Sequence, residues 1–203
     1  QHAAMAVPTQ LLTTLPGHKG AVLDVSFNSD GKYCVSCGQD RSLKLWNPHK
    51  GNCLRTFAGP HNREVLGVAI MSDNCHFVSV GGDKVGFVWD VAKGEAVRKL
   101  VGHTSKVNCV ALNATDDVAV TGGQDKLVRL WDLRSFSRQP IQILEDATDA
   151  VLSCLVSEHN IFTGAADGCI RKYDLRQGSL TTDQINGPVG SISLSQDKTC
   201  VLA

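Results

Sequence analysis

The chain has 203 residues, enough for one or two ordinary domains, and its 42% apolar content supports a buried core. Twenty Lys and Arg balance twenty Asp and Glu, which removes the electrostatic reason to expect non-specific binding to nucleic acid or membrane. No apolar run approaches the ~18 residues of a spanning helix, the N-terminus lacks the basic head and apolar stretch of a secretory signal, and eight scattered cysteines fit a reduced intracellular compartment.

Residues 1–15 read as an N-terminal tail, with a strand expected over Thr9–Leu15. A repeating unit follows. The first copy runs His18, then a β-type run with Val22, Val25 and Phe27, a turn at Ser29-Asp30-Gly31, then Ser36, Asp40 and Trp46. The second inserts Pro60 after Gly59 and runs His61, Val65, Val68, Ile70, a turn at Ser72-Asp73-Asn74, then Ser79, Asp83 and Trp89. The third runs His103, Val107, Val110, Leu112, Thr121, Asp125 and Trp131. The fourth keeps Val151, Cys154, Val156, Thr163 and Asp167, puts Tyr173 in place of Trp, is two residues shorter, and has its histidine position near Ala147. A fifth begins with Val189, Ile192 and Leu194 and stops in mid-repeat. The four aromatics lie 43, 42 and 42 residues apart, each ten residues after a hydroxyl and six after an aspartate. Each copy fits three or four strands, and no stretch has a helical period of 3.6.

His103, Thr121 and Asp125 are the side-chain types of a hydrolase triad. A triad needs an exposed nucleophile and an oxyanion site, and an enzyme has no use for such a set repeated at one period. The non-catalytic reading is therefore preferred. Cys34 and Cys37 form a CxxC, but on a strand that spacing puts the thiols on opposite faces, and no second pair at zinc spacing follows. Gly81-Gly82-Asp83-Lys84 and Gly122-Gly123-Gln124-Asp125 are glycine-rich yet open no helix, which disfavours a phosphate loop. Neither a metal nor a cofactor is expected.

A period of 40–45 residues with four strands and GH…WD marks signals a β-propeller blade. Gly17-His18, Gly102-His103, Trp89-Asp90 and Trp131-Asp132 carry those marks, and the chain resembles WD-repeat propellers over nearly its whole length. The expected architecture is all-β: a tail and closing outer strand over 1–15, blades over 16–58, 59–100, 101–142 and 143–183, and a partial fifth over 184–203. Four and a half blades suggest a fragment of a seven-bladed ring, closed by pairing the first residues with C-terminal ones. The resemblance implies a buried tetrad in each blade: Trp131 donating to Thr121, Thr121 to His103, and His103 to Asp125. Its counterparts are His18, Ser36, Asp40 and Trp46, then His61, Ser79, Asp83 and Trp89, and in blade four an incomplete set of Thr163, Asp167 and Tyr173. Blade four is expected to be the less rigid.

Shared irregularities point further. Trp46-Asn47-Pro48 at the end of blade one and Lys172-Tyr173-Asp174-Leu175-Arg176 in blade four make the chain similar to the mitogen-activated protein kinase organiser family of WD-repeat scaffolds. That resemblance implies a non-enzymatic scaffold in cytoplasm and nucleus, assembling kinase-cascade components and spliceosomal proteins. Partner contacts in such propellers come from the mouth of the central channel, which maps here onto Gln39, Arg41, Glu64, Lys84, Lys106, Gln124 and Lys126. The basic members form an arc suited to an acidic partner. A second reading starts from Trp131-Asp132-Leu133-Arg134 and Tyr173-Asp174-Leu175-Arg176, which resemble the box of cullin ubiquitin-ligase substrate receptors and would place Arg134 and Arg176 against an adaptor. An exposed arginine paired with a neighbouring carboxylate is the plainer explanation.

Overall fold

The computed structural model describes Leu11 and residues 13–135, 137–195 and 200–203. Every regular element among them is a strand. The first sheet is a meander of β1 (Val22–Phe27), β2 (Cys34–Gly38), β3 (Leu43–Asn47) and β4 (Asn52–Phe57). The second holds β5 (Val65–Ile70), β6 (His76–Gly81), β7 (Val85–Asp90) and β8 (Glu95–Val101). The third holds β9 (Val107–Leu112), β10 (Val118–Gly123), β11 (Val128–Asp132) and β12 (Gln142–Leu144); the fourth holds β13 (Val151–Ser157), β14 (Asn160–Ala165), β15 (Cys169–Asp174) and β16 (Ser179–Gln184). A two-stranded piece, β17 (Ser193–Leu194) and β18 (Val201–Leu202), follows. The architecture is all-β, a succession of antiparallel four-stranded sheets of the kind expected for propeller blades.

The outer strands of blades two, three and four end at Val101, Leu144 and Gln184, one or two residues past the divisions expected at 100, 142 and 183. Of the outer strand expected over Thr9–Leu15, residues 9, 10 and 12 lie outside the described residues, and Leu11 and residues 13–15 carry no strand.

The alternation of the sequence becomes a radial gradient. The second strand of each blade is buried nearly end to end, whereas β4 and β16 are exposed along almost their whole length. Apolar cores form between neighbouring sheets. Phe57 of blade one meets Phe77 of blade two edge-on at 5.0 Å, and Phe77 stacks on Trp89 at 5.7 Å. Analogous clusters join blades two to three, three to four, and four to the partial fifth.

The turns between second and third strands share one geometry. The amides of Arg41, Lys84, Lys126 and Gly168 donate to Gly38, Gly81, Gly123 and Ala165 at 3.2 Å, and each of the four residues has φ between 63° and 77°. This is a tight hairpin whose last residue is left-handed. Three of the four are Arg or Lys, so the turn holds a long basic side chain at a backbone angle that L residues seldom take. All four turns lie on the end of the propeller that carries the tetrad aspartates.

Candidate functional site

In blade three, Trp131 Nε1 donates to Thr121 Oγ1 at 2.9 Å. Thr121 Oγ1 lies 2.9 Å from His103 Nε2, and His103 Nδ1 lies 2.9 Å from Asp125 Oδ1. In a neutral imidazole whose Nδ1–H donates to the carboxylate, Nε2 accepts, so the Thr121 hydroxyl donates to it. Blade one repeats the chain: Trp46 to Ser36 at 2.7 Å, Ser36 to His18 at 2.7 Å, and His18 to Asp40 at 2.9 Å. Blade two does so through Trp89, Ser79, His61 and Asp83 at 2.8, 2.8 and 2.9 Å. The β-ladders place the hydroxyl and the indole on adjacent strands, and the amide after each histidine fastens the incoming loop to the same aspartate.

Chemically these sets are sealed. Thr121 is 1% exposed, Ser79 0% and Ser36 5%, so no substrate carbonyl reaches the hydroxyl. Burial pushes the carboxyls of Asp40 and Asp125 up. Hydrogen bonds outweigh it and hold both well below the usual carboxylate range: from Lys19 N–H, Ser42 and His18 on Asp40, and from His103, Thr104 N–H and Arg129 on Asp125. Cys34 and Cys37 are free thiols buried in β2, and burial drives the Cys37 pKa up, away from nucleophilic or metal-binding character.

A further partner of each aspartate escapes a reading of the repeat marks. In blade three Arg129, two residues before the tryptophan, is buried and donates to Asp125 Oδ2 at 2.8 Å. In blade four Arg171 takes that place and binds Asp167 through both terminal nitrogens at 3.2 and 2.8 Å. Thr148 adds its backbone and hydroxyl donors to Asp167 at 3.0 and 2.9 Å, beside Ala147 where the other blades have histidine. Blade one uses the Ser42 hydroxyl at 2.8 Å. Blade two has Phe87 at the arginine position, edge-on to His61, and the buried Asp83 Oδ1 has no hydrogen-bond partner among the described residues. Thr163 Oγ1 in blade four is likewise buried without one among the described residues. The available signal is an Asp followed four residues later by Arg, in the third and fourth repeats.

The loops and turns on this end form the exposed face. Gln39, Arg41, Lys84, Gln124 and Lys126 are exposed there. The cations are not an unpaired arc. Lys106 Nζ pairs with Glu64 Oε1 of the preceding blade at 2.8 Å, and Lys126 Nζ donates to the Thr148 carbonyl of the next at 2.7 Å. Arg41 and Lys84 have no ion pair among the described residues, and neither does Arg63, which the repeat pattern did not single out. Arg63, Lys84, Lys106, Asn62 and Gln124 line a cleft of about 370 Å³ between blades two and three. Arg134 is 72% exposed and lies 3.4 Å from Asp117 and 3.7 Å from Asp132, while Arg176 is exposed with its amide on Asp174.

A fold of repeated four-stranded blades pinned by Trp–Ser/Thr–His–Asp chains defines a class, and the sequence comparisons agree with it. The family described as WD domain, G-beta repeat matches residues 9–47, 51–90 and 94–132, so the chain belongs to the WD-repeat family, whose members serve generally as non-enzymatic platforms for other proteins. More particularly, it is similar to proteins named WD repeat domain-containing protein 83. The Xenopus tropicalis protein is 46% identical over 198 residues, spanning 98% of this chain and 63% of the relative. The human protein is 46% identical over 196 residues, spanning 97% and 62%. The Dictyostelium discoideum homolog is 34% identical over 217 residues, spanning 93% and 66%. The chain thus spans slightly less than two thirds of the length of these relatives.

Proposed function

We propose that this chain forms part of a non-enzymatic scaffold that assembles multi-protein complexes in kinase-cascade signalling and pre-mRNA splicing, working in both cytoplasm and nucleus. The carrying observation is the contrast within one site. The residues that resemble catalytic groups are sealed inside the blades, while Arg41, Arg63 and Lys84 stand exposed on the face above them. Rigid blades with an exposed polar rim suit the docking of acidic partner surfaces. The kinase-organiser assignment is supported by Trp46-Asn47-Pro48 and by Tyr173 in place of tryptophan.

Affinity purification of the full-length protein, followed by mass spectrometry, tests this. Kinase-cascade or spliceosomal proteins should be recovered, and Arg41→Glu with Lys84→Glu should deplete them several-fold while the melting temperature holds. Recovery of neither class by the wild type would refute the proposal. Capture of a cullin adaptor that is lost with Arg134→Ala and Arg176→Ala would favour the ligase reading, which rests on the exposure of both arginines.

A further inference from the structure

We propose a second binding site on the outer rim: the groove between blades two and three takes an acidic, extended polypeptide segment as an added strand on the free edge of β8. β8 pairs with β7 along one side and ends its sheet on the other, and at seven residues it is the longest of the outer strands. Beside that edge lies a cleft of about 730 Å³, lined by β8 and by the loop around Arg138.

The cleft exists because blade three departs from its neighbours. Blades one, two and four turn from third to fourth strand through a left-handed glycine, Gly51, Gly94 or Gly178. Blade three has no such glycine and makes a longer excursion between β11 and β12. Arg98 of β8 ties that excursion in place, donating to the carbonyls of Asp132 at 2.8 Å and Ser137 at 2.6 Å.

Charge selects the occupant. Arg98, Lys99 and Arg138 line the cleft and no carboxylate does, in a chain whose formal charges cancel. Lys99 rests over the Phe87 ring at 5.9 Å, and neither Lys99 nor Arg138 forms an ion pair among the described residues. Lys99 and Val101 stand on the face of β8 that carries Phe87, and Arg98 on the opposite face toward blade three, so an added strand meets Lys99 on one side and Arg138 on the other; Val97 and Val101 are 47% and 53% exposed. An open edge presents unpaired amides and carbonyls, and basic side chains on it repel a basic strand and admit an acidic one. The segment that fits is therefore extended, with backbone groups for the β8 edge, carboxylates for Lys99 and Arg138, and apolar side chains for Val97 and Val101.

The test is fluorescence anisotropy of the full-length protein with a labelled peptide of repeated Glu-Glu-Val-Val, which as a strand carries glutamate and valine on both faces. Binding should weaken about ten-fold or more with Lys99→Glu plus Arg138→Glu. It should be unchanged by Lys50→Glu, and lost when the same peptide carries N-methylated amides. Both targeted side chains are solvent-facing, so the double variant should keep the parent melting curve; if it does not, Lys99→Gln and Arg138→Gln separately should each weaken binding. Absence of binding, indifference to the two substitutions, or equal binding of the N-methylated peptide overturns the proposal. So does oligouridylate that displaces the peptide with equal affinity, because the groove would then be a phosphate site. Sensitivity to Lys84→Glu alone would move the peptide to the loop face and also refute the rim site.

Discussion

Thr121 receives the Trp131 N–H and donates to His103 while almost wholly buried. Its hydroxyl is thus the joint of the network, and its loss strands a donor on one side and an acceptor on the other. Thr121→Val, which keeps the shape, should cost about 2–4 kcal/mol, because two buried groups lose their partner at once. Thr121→Ser keeps the joint and should cost only about 1 kcal/mol for the missing methyl. Urea denaturation of the pair would show this order; equal losses would mean that packing, and not the hydroxyl, holds the blade. The same substitutions should leave partner capture unchanged as long as the protein stays folded, since Thr121 does not reach the surface.

Each blade anchors its aspartate differently. Asp125 has both His103 and Arg129, whereas Asp167 depends on Arg171 and Thr148 with Ala147 in the histidine position. Loss of Arg129 leaves the His103 ring N–H and the Thr104 amide on the Asp125 carboxylate, whereas loss of Arg171 removes the guanidinium from a buried Asp167 that has no histidine beside it, so the second loss costs more. Arg171→Ala should therefore destabilise blade four by about 3–5 kcal/mol. Arg129→Ala should cost blade three about 1–2 kcal/mol. A repeat array need not unfold as one unit, so the readout is hydrogen exchange resolved by blade. Comparable protection losses in the two blades would sink the argument. Blade four also carries a buried Thr163 hydroxyl with no hydrogen-bond partner among the described residues, and burial pushes the Tyr173 phenol up in pKa.

Across the molecule, each blade covers the leading edge of the next. Val65, Val107 and Val151 open their blades fully buried and Val189 is 1% exposed, while Val22, the same position in blade one, is 53% exposed with no preceding blade against it among the described residues. The fit is tightest where glycine faces valine. A Cβ on Gly122 would lie 2.5 Å from Val151 Cγ1 of the following blade. Gly122→Ala should therefore cost about 1–3 kcal/mol through overpacking. Val151→Ala should return part of that cost in a double-mutant cycle on denaturant unfolding. Additive effects would mean that the two blades move apart freely at this point.

The sequence by itself determined the repeat and the class of fold. A hydroxyl, an aspartate and an aromatic at fixed separations, and a histidine in three of the four copies, are chemical demands made within about 30 residues, and the alternation of Val65, Val68 and Ile70 marks a strand without reference to anything distant. The left-handed turns at Arg41, Lys84 and Lys126 were not legible, since Arg and Lys carry no turn signal and the hairpin imposes the angle. Nor were the Glu64–Lys106 pair, the Lys126 contact to Thr148, or the Arg98 ties that build the rim cleft. These join residues of successive blades, and their distances follow from the rotation of one sheet against the next. That rotation is decided by interdigitated valines, aromatics and glycines between sheets, so tertiary packing alone chose which cations were neutralised and which were left to meet a partner.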